Sequence, residues 1–305
     1  MYGHDCHLSG IRGLDHIIDC GNLVNGPQRS SDTGMAPAKS EGTVLPSYRK
    51  PPVIEVVCGL RFEPLEGLKI PHIGLFWEKV RKEFPNCQHA APLGVGPGTI
   101  DPDIGLPLLR VWLINKANDR LIQIQRDAFI YNWRKRQENR PYPRYRRIIS
   151  SFERNLDRFT KFLDDHGINL PTPTECELTY INHIVQGEGW QTAADSRKIF
   201  RDFNWRSGRG RFLHNPLETT WQAAFALPED KGRLNVKLEQ GTRKIDDMPV
   251  LVLTLSARGI GSDKSLHALW SWFPIAHEWI VRGFADLASS QIQREVWERD
   301  DDFAG

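Results

Sequence analysis

The sequence predicts an α+β fold: antiparallel sheets gripped by long helices, in two halves of similar element order. Three observations carry this. Runs rich in β-branched and aromatic residues alternate with period two and are joined by turns bearing Gly or Asp. Two long stretches, one mid-chain and one C-terminal, place apolar residues three or four positions apart. The order strand, helix, strands, long helix occurs twice without a residue-level repeat, and meandering strands carrying helices are the antiparallel solution. The expected halves are 49–170 and 171–305, behind a tail at 1–48.

Composition narrows the class. Of 305 residues, 40% are hydrophobic and 26% charged, the balance of a folded chain and not of a disordered one. The net charge of +2 means that any case for nucleic acid must rest on local clustering. Five cysteines lie far apart with no C-x-x-C pair, so neither a disulfide framework nor a zinc knuckle is indicated. No apolar run approaches the ~20 residues that span a bilayer, and residues 1–35 lack the apolar core of a signal peptide. The expected setting is cytoplasmic, with no membrane, metal or cofactor.

The first 48 residues show no sustained period and end in a Pro-, Ser- and Lys-rich stretch, the composition of a disordered tail. Met35 opens a stretch that reads as an ordinary N-terminus, so 1–34 are expected to be an upstream misannotation. His4, Cys6 and His7 sit there in metal-like company, without a core to order them.

Pro51 and Pro52 introduce the strand VIEVVCGLRF. Ile54, Val56, Cys58, Leu60 and Phe62 form its apolar face, while Glu55 and Arg61 lie on the other. Ile73, Phe76, Trp77 and Val80 mark a helix that Pro85 ends. The stretch from Asn86 to Pro107 reads as a loop, and its G-V-G-P-G is no phosphate cradle because Pro interrupts it.

LLRVWLIN and LIQIQRDAFIYNW read as a hairpin. The chain is organised around Leu121–Phe162, where the second of these strands passes through RKRQENRPYPR into a long helix. From Arg126 to Arg154 there are nine Lys or Arg against three Asp or Glu. In that helix Tyr145, Ile148, Phe152, Leu156, Phe159 and Leu163 form an apolar stripe, and Arg147, Arg154, Arg158 and Lys161 a basic one. Gly167 is its expected C-terminal stop.

The second half opens with the strand ECELTYINHIV and a short helix over 193–203. Three alternating strands follow. A last helix spans about Asp263 to Arg299, broken or restarted at Pro274. Its stripe holds Trp270, Phe273, His277, Ile280 and Phe284, with Trp270, Phe273, Ile280 and Phe284 expected against a sheet.

The phrases PPVIEVVCGLRF, LIQIQRDAFIYNWRK, PYPRY, ECELTYINHI and AHEWIVRGFADL, in this order, resemble those of a sporadically distributed prokaryotic family of uncharacterised proteins. The resemblance runs from about Pro51 to Trp297. It implies no known activity and no catalytic residue, and it places the family's start near Met35.

No nucleophile elbow, zinc helix, Walker loop or dinucleotide fingerprint is present. The candidate binding residues are therefore read from position. Arg126, Asn132, Arg134 and Arg136 border the turn that Pro141 and Pro143 stiffen, where a guanidinium fork suits a carboxylate or a phosphate. The alternative is that these Arg only pair with Glu55, Glu138 or Glu153. Glu55 and Arg61 are charges on one strand face. Tyr180 and Asn182 share a face and His183 points to the other, and Asn within a strand usually makes a specific hydrogen bond.

The reading favoured is a non-catalytic binding or assembly protein that acts through a protein partner or self-association. A nucleic-acid binder using 126–161, where Phe129, Tyr131, Trp133, Tyr142 and Tyr145 interleave with Arg, is the alternative. An enzyme of unrecognised type is the third, with only scattered carboxylates such as Glu55, Glu175 and Glu177 to offer.

Overall fold

The structure, a computed structural model, describes residues 44–93, 110–137, 140–203, 210, 212–214, 216–243 and 245–300. His4, Cys6, His7, Met35 and Glu138 lie outside the described residues. So does residue 43 and everything before it, which is most of the expected tail.

The strands are β1 (Val53–Phe62), β2 (Asn86–Ala90), β3 (Arg110–Ile114), β4 (Arg120–Gln125), β5 (Ala128–Arg134), β6 (Pro173–Val185), β7 (Thr220–Ala226), β8 (Arg233–Arg243) and β9 (Met248–Gly259). The helices are α1 (Ile70–Val80), α2 (Tyr145–Asp165), the short α3 (Ser196–Ile199), α4 (Leu266–Leu287) and α5 (Ser290–Glu295). The strands form one antiparallel sheet in the order β2-β3-β4-β5-β1-β6-β9-β8-β7. The α+β class is as the sequence predicts.

The sequence reading gave each half its own sheet, and the structure joins the strands into one. The seam is β1 against β6, with Val56 opposite Tyr180 and Cys58 opposite Leu178. Left apart, each strand would present a row of unpaired N–H and C=O groups, which pairing removes.

Period two decides which residues become core. Val56, Cys58, Leu60 and Phe62 of β1, Phe129, Tyr131 and Trp133 of β5, and Cys176, Leu178 and Tyr180 of β6 join one buried cluster. The apolar stripes of α1, α2 and α4 complete it. Phe159 of α2 stacks on Phe129 with ring centroids 5.0 Å apart, and Phe76 of α1 meets Phe159 edge-on at 5.2 Å. Gly167, at φ 68°, ends α2 as expected, its N–H donating to the Asp164 carbonyl.

Four local expectations are corrected. Asn86–Ala90 is a strand, paired with β3 from Asn86–Ile114 to Ala90–Arg110. Its exposed NCQHA carries no period, so the pairing comes from the free edge of β3.

The C-terminal helix is not broken at Pro274. That residue is exposed, while Phe273 and Ala276 beside it are anchored in the core. The break falls at Ala288, which bridges to Phe200, after which Ser289 caps α5 through the Ile292 N–H. On α4, Phe273, Ile280 and Phe284 are buried as expected. Trp270 is only half-buried and faces Phe152 of α2, whereas Trp272 is fully buried.

The boundary of the tail also moves. Tyr48 belongs to the core, not to the tail. Its hydroxyl donates to Gln293 Oε1 at 2.9 Å, and its ring meets Phe284 and Trp297 edge-on. A Tyr flanked by Ser and Arg gives no periodic signal from which this burial can be read.

Candidate functional site

The side of the sheet opposite the helices holds most of the residues that the sequence singles out. The register places them in rows. One row runs Arg134, Glu55, Ile181, Thr254, Lys237 across β5, β1, β6, β9 and β8. The next runs Leu121, Asn132, Val57, Thr179, Ser256 from β4 to β9. A third brings Glu177 beside Arg258, and a fourth sets Arg61 opposite Glu175.

Hydrogen bonds tie these rows diagonally. Arg110 donates to Gln123 Oε1 at 3.1 Å, Gln123 to Asn132 Oδ1 at 2.7 Å, and Asn132 to Glu55 Oε1 at 2.7 Å. Across the seam, Thr179 donates to Glu177 at 3.0 Å and lies 2.6 Å from the Ser256 hydroxyl, and Arg258 donates to Glu177 at 3.1 Å. Arg61 and Arg258 both approach Glu175, at 3.7 and 3.9 Å. The result is a fixed lattice in which carboxylates and guanidinium groups are matched.

Burial sets the electrostatics of this face. It raises Glu55 above the usual carboxylate range, against the opposing pull of the Asn132 hydrogen bond and of Arg134 and Arg136. Burial likewise raises Glu175. It lowers Arg134 to about 10, with Arg136 adding repulsion, and it lowers Arg136 itself.

Glu55, Asn132, Arg134 and Arg136 therefore come together as a group. Arg134 Nη2 donates to Asn118 Oδ1 at 2.9 Å and its guanidinium lies 5.6 Å from the Trp112 ring. Arg136 Nε donates to the Asn118 carbonyl at 2.9 Å.

Arg126 stands apart. It lies beyond the other end of β5 from Arg134, roughly 25 Å along a strand that rises about 3.3 Å per residue. Its Nε donates to the Leu65 carbonyl, pinning the chain after β1. The expected basic stripe of α2 is partly spent on Glu83, which Arg158 reaches at 3.0 Å and Arg154 at 3.9 Å.

His183 lies on the lattice side, half-buried opposite Val252. Tyr180 and Asn182 lie on the helix side instead, at the floor of a cleft between α2 and α4. There Tyr145 stacks on His277 with centroids 3.8 Å apart and planes 8° from parallel.

Burial lowers His277 to about 4. A depressed histidine stabilises the fold above its unfolded value near 6.5, and this stabilisation is lost as pH falls through the folded value. Between pH 6.5 and about 4 the wild type should therefore lose more stability than His277→Gln, as read by urea midpoints at each pH. Parallel pH curves for the two proteins would refute the burial argument.

Sequence reasoning missed Trp112, Gln123, Ser256 and Arg258. Each sits on the polar side of an alternating strand, but only the register shows which strands are neighbours. No helix among the described residues is long and apolar enough to cross a membrane. The chain matches no family model, no curated protein and no solved structure, so the resemblance carried by PPVIEVVCGLRF and its companion phrases rests on those residues alone.

Proposed function

We propose that this is a non-catalytic binding protein that acts through a protein partner, docked on the face of the sheet that no described helix covers. The observation that carries the reading is the make-up of that face. Val57, Ile181 and Val252 are half-buried apolar side chains set among matched charges, with Arg61, His183 and Lys237 around them. An apolar centre with a paired polar surround is the anatomy of a protein interface.

Two alternatives are weaker for physical reasons. A nucleic-acid backbone calls for unmatched cations, whereas Arg61, Arg258, Lys237, Arg154 and Arg158 each face a carboxylate. General acid–base catalysis calls for a group titrating near neutrality. Here burial moves His277 down and Tyr142, Tyr145 and Tyr180 up, away from that range, and the carboxylates that it raises, Glu55 and Glu175, are engaged by Asn132 and by Arg61 and Arg258. The division into halves at 49–170 and 171–305, meeting at the β1–β6 seam, belongs to the same proposal, and the repeated element order supports it.

A photo-crosslinking residue placed at Ile181 tests the reading in cells. It should trap one protein, and the Lys237→Gln, Arg61→Gln double variant, which puts no like charges opposite each other, should lose that adduct while keeping its far-UV circular dichroism and cooperative melting. If the same probe at Arg147 on α2 traps the protein and Ile181 does not, the interface lies elsewhere. Co-purifying nucleic acid, released by salt, would favour the alternative.

A further inference from the structure

We propose that the cleft between α2, α4 and the lead into β1 is a binding site for a nucleoside monophosphate. The required chemistry is an uncharged, flat body with a hydrogen-bonding edge and one anionic end. This site is separate from the proposed docking face and does not depend on the protein partner.

The cleft encloses about 610 Å³, within the ~300–1,000 Å³ usual for small-molecule sites. Its interior holds polar groups that the fold leaves open. Tyr142 and Tyr180 hydroxyls lie 2.9 Å apart; one O–H is used between them and the other remains to donate. Asn182 is only 1% exposed, and its Nδ2 donates to the Leu253 carbonyl at 3.0 Å. Its Oδ1 has no partner among the described residues. The same holds for the Tyr145 hydroxyl and for the ring nitrogens of His277 above it.

These groups open into the cleft, and a hydrocarbon chain seated there would desolvate them at a cost, so a ligand with matching donors and acceptors is favoured. Burial keeps His277 and the three phenols neutral near pH 7, which suits an uncharged body. The walls are stiff and apolar: Pro46, Pro51 and Pro52 on the lead, Pro274 and Phe284 on α4. Flat, rigid walls fit a ring and give a free sugar little to bond.

The anionic end has its own seat at the rim. Arg146 lines the cleft at the start of the 21-residue α2, beside Arg144, whose Nη1 donates to the Tyr48 carbonyl at 3.0 Å; the first turn of α2 carries no acidic residue and no side-chain cap. The helix dipole and the Arg146 guanidinium act together there on a phosphate. Among the described residues the carboxylate at the rim is Glu278, which accepts from Arg282 at 2.8 Å, and this offsets its repulsion.

The test is calorimetric titration of the full chain with AMP, GMP, CMP and UMP, with the parent nucleosides, and with inorganic phosphate. At least one monophosphate should bind, and its nucleoside should bind about tenfold more weakly or worse, since the phosphate contacts are charge-assisted. Arg146→Glu should weaken the monophosphate by a similar factor. Tyr145→Phe keeps the stacked ring and should weaken it several-fold at an unchanged melting temperature. The proposal is overturned if no monophosphate binds at about 1 mM, near the weak limit of specific affinity. It is equally overturned if nucleoside or phosphate alone binds as tightly, or if both variants bind like the wild type.

Discussion

Trp272→Ala is expected to lose about 3–5 kcal/mol of folding stability, the range for truncating a large buried aromatic. Trp272 is fully buried on α4 and is among the largest such side chains in the protein. Its ring meets Phe273 edge-on at 5.2 Å, and its indole N–H donates to the Lys231 carbonyl at 2.8 Å. The substitution thus opens a cavity and also leaves a carbonyl without its donor. That carbonyl belongs to the turn into β8, where the chain has no slack. A Cβ on Gly232 would stand 1.9 Å from the Arg258 carbonyl oxygen, so the turn and β9 are already in closest contact. Trp270→Ala, on the half-buried neighbour, should cost markedly less. Urea denaturation of both variants decides the matter, and a loss below about 1 kcal/mol for Trp272→Ala would show that α4 is seated differently.

The second large effect concerns the chain's lead. A protein starting at Met35 should melt like the full chain, whereas one starting at Arg49 should lose about 3–5 kcal/mol with Tyr48. The reason is a polar knot under the last helix. Gln293 is buried, and its Oε1 accepts from Tyr48 and from Arg299 at 2.8 Å. Its Nε2 donates to the carbonyls of Ala285 and Ala288. Removing Tyr48 strips one donor from this knot and the aromatic edge from Phe284 and Trp297. Calorimetric melting of the two shortened proteins separates the cases; equal melting temperatures would show that the lead contributes nothing.

What could be read in advance divides along physical lines. The alternation in VIEVVCGLRF and AFIYNW names the core face because a half-buried strand has period two. The stripe Ile148, Phe152, Leu156, Phe159, Leu163 likewise names the face that α2 buries. Register has no such signature. Nothing local says that Glu55 will stand beside Arg134, or that Thr179 will meet Ser256, since each pair comes from segments distant in sequence. The same limit separated the candidates. Glu55, Asn132, Arg134 and Arg136 converge and Arg126 is carried to the far end of its strand, whereas period two alone sets Tyr180 and Asn182 on the opposite side of the sheet from His183. Edge strand β2 and Tyr48 were illegible for another reason: their structure comes from what they lean against, and their own composition is that of a loop.

The seam between β1 and β6 has a consequence for how the chain reaches its native state. Within each wing the hairpin pairings are local, with Ile122 opposite Tyr131 and Val236 opposite Leu255, while β1 and β6 join their wings over longer stretches, with Val56 opposite Trp133 and Tyr180 opposite Leu255. Val56 opposite Tyr180 closes a longer loop still, and such contacts slow folding because chain entropy is spent before they form. The wings should therefore assemble first and the seam last. In that interval Val56, Cys58, Leu178 and Tyr180 are uncovered along two bare strand edges. Aggregation during refolding should rise steeply with protein concentration and trace to these two segments, and a chain cut between Gly167 and Pro173 should reassemble from separate wings more slowly than the intact chain folds.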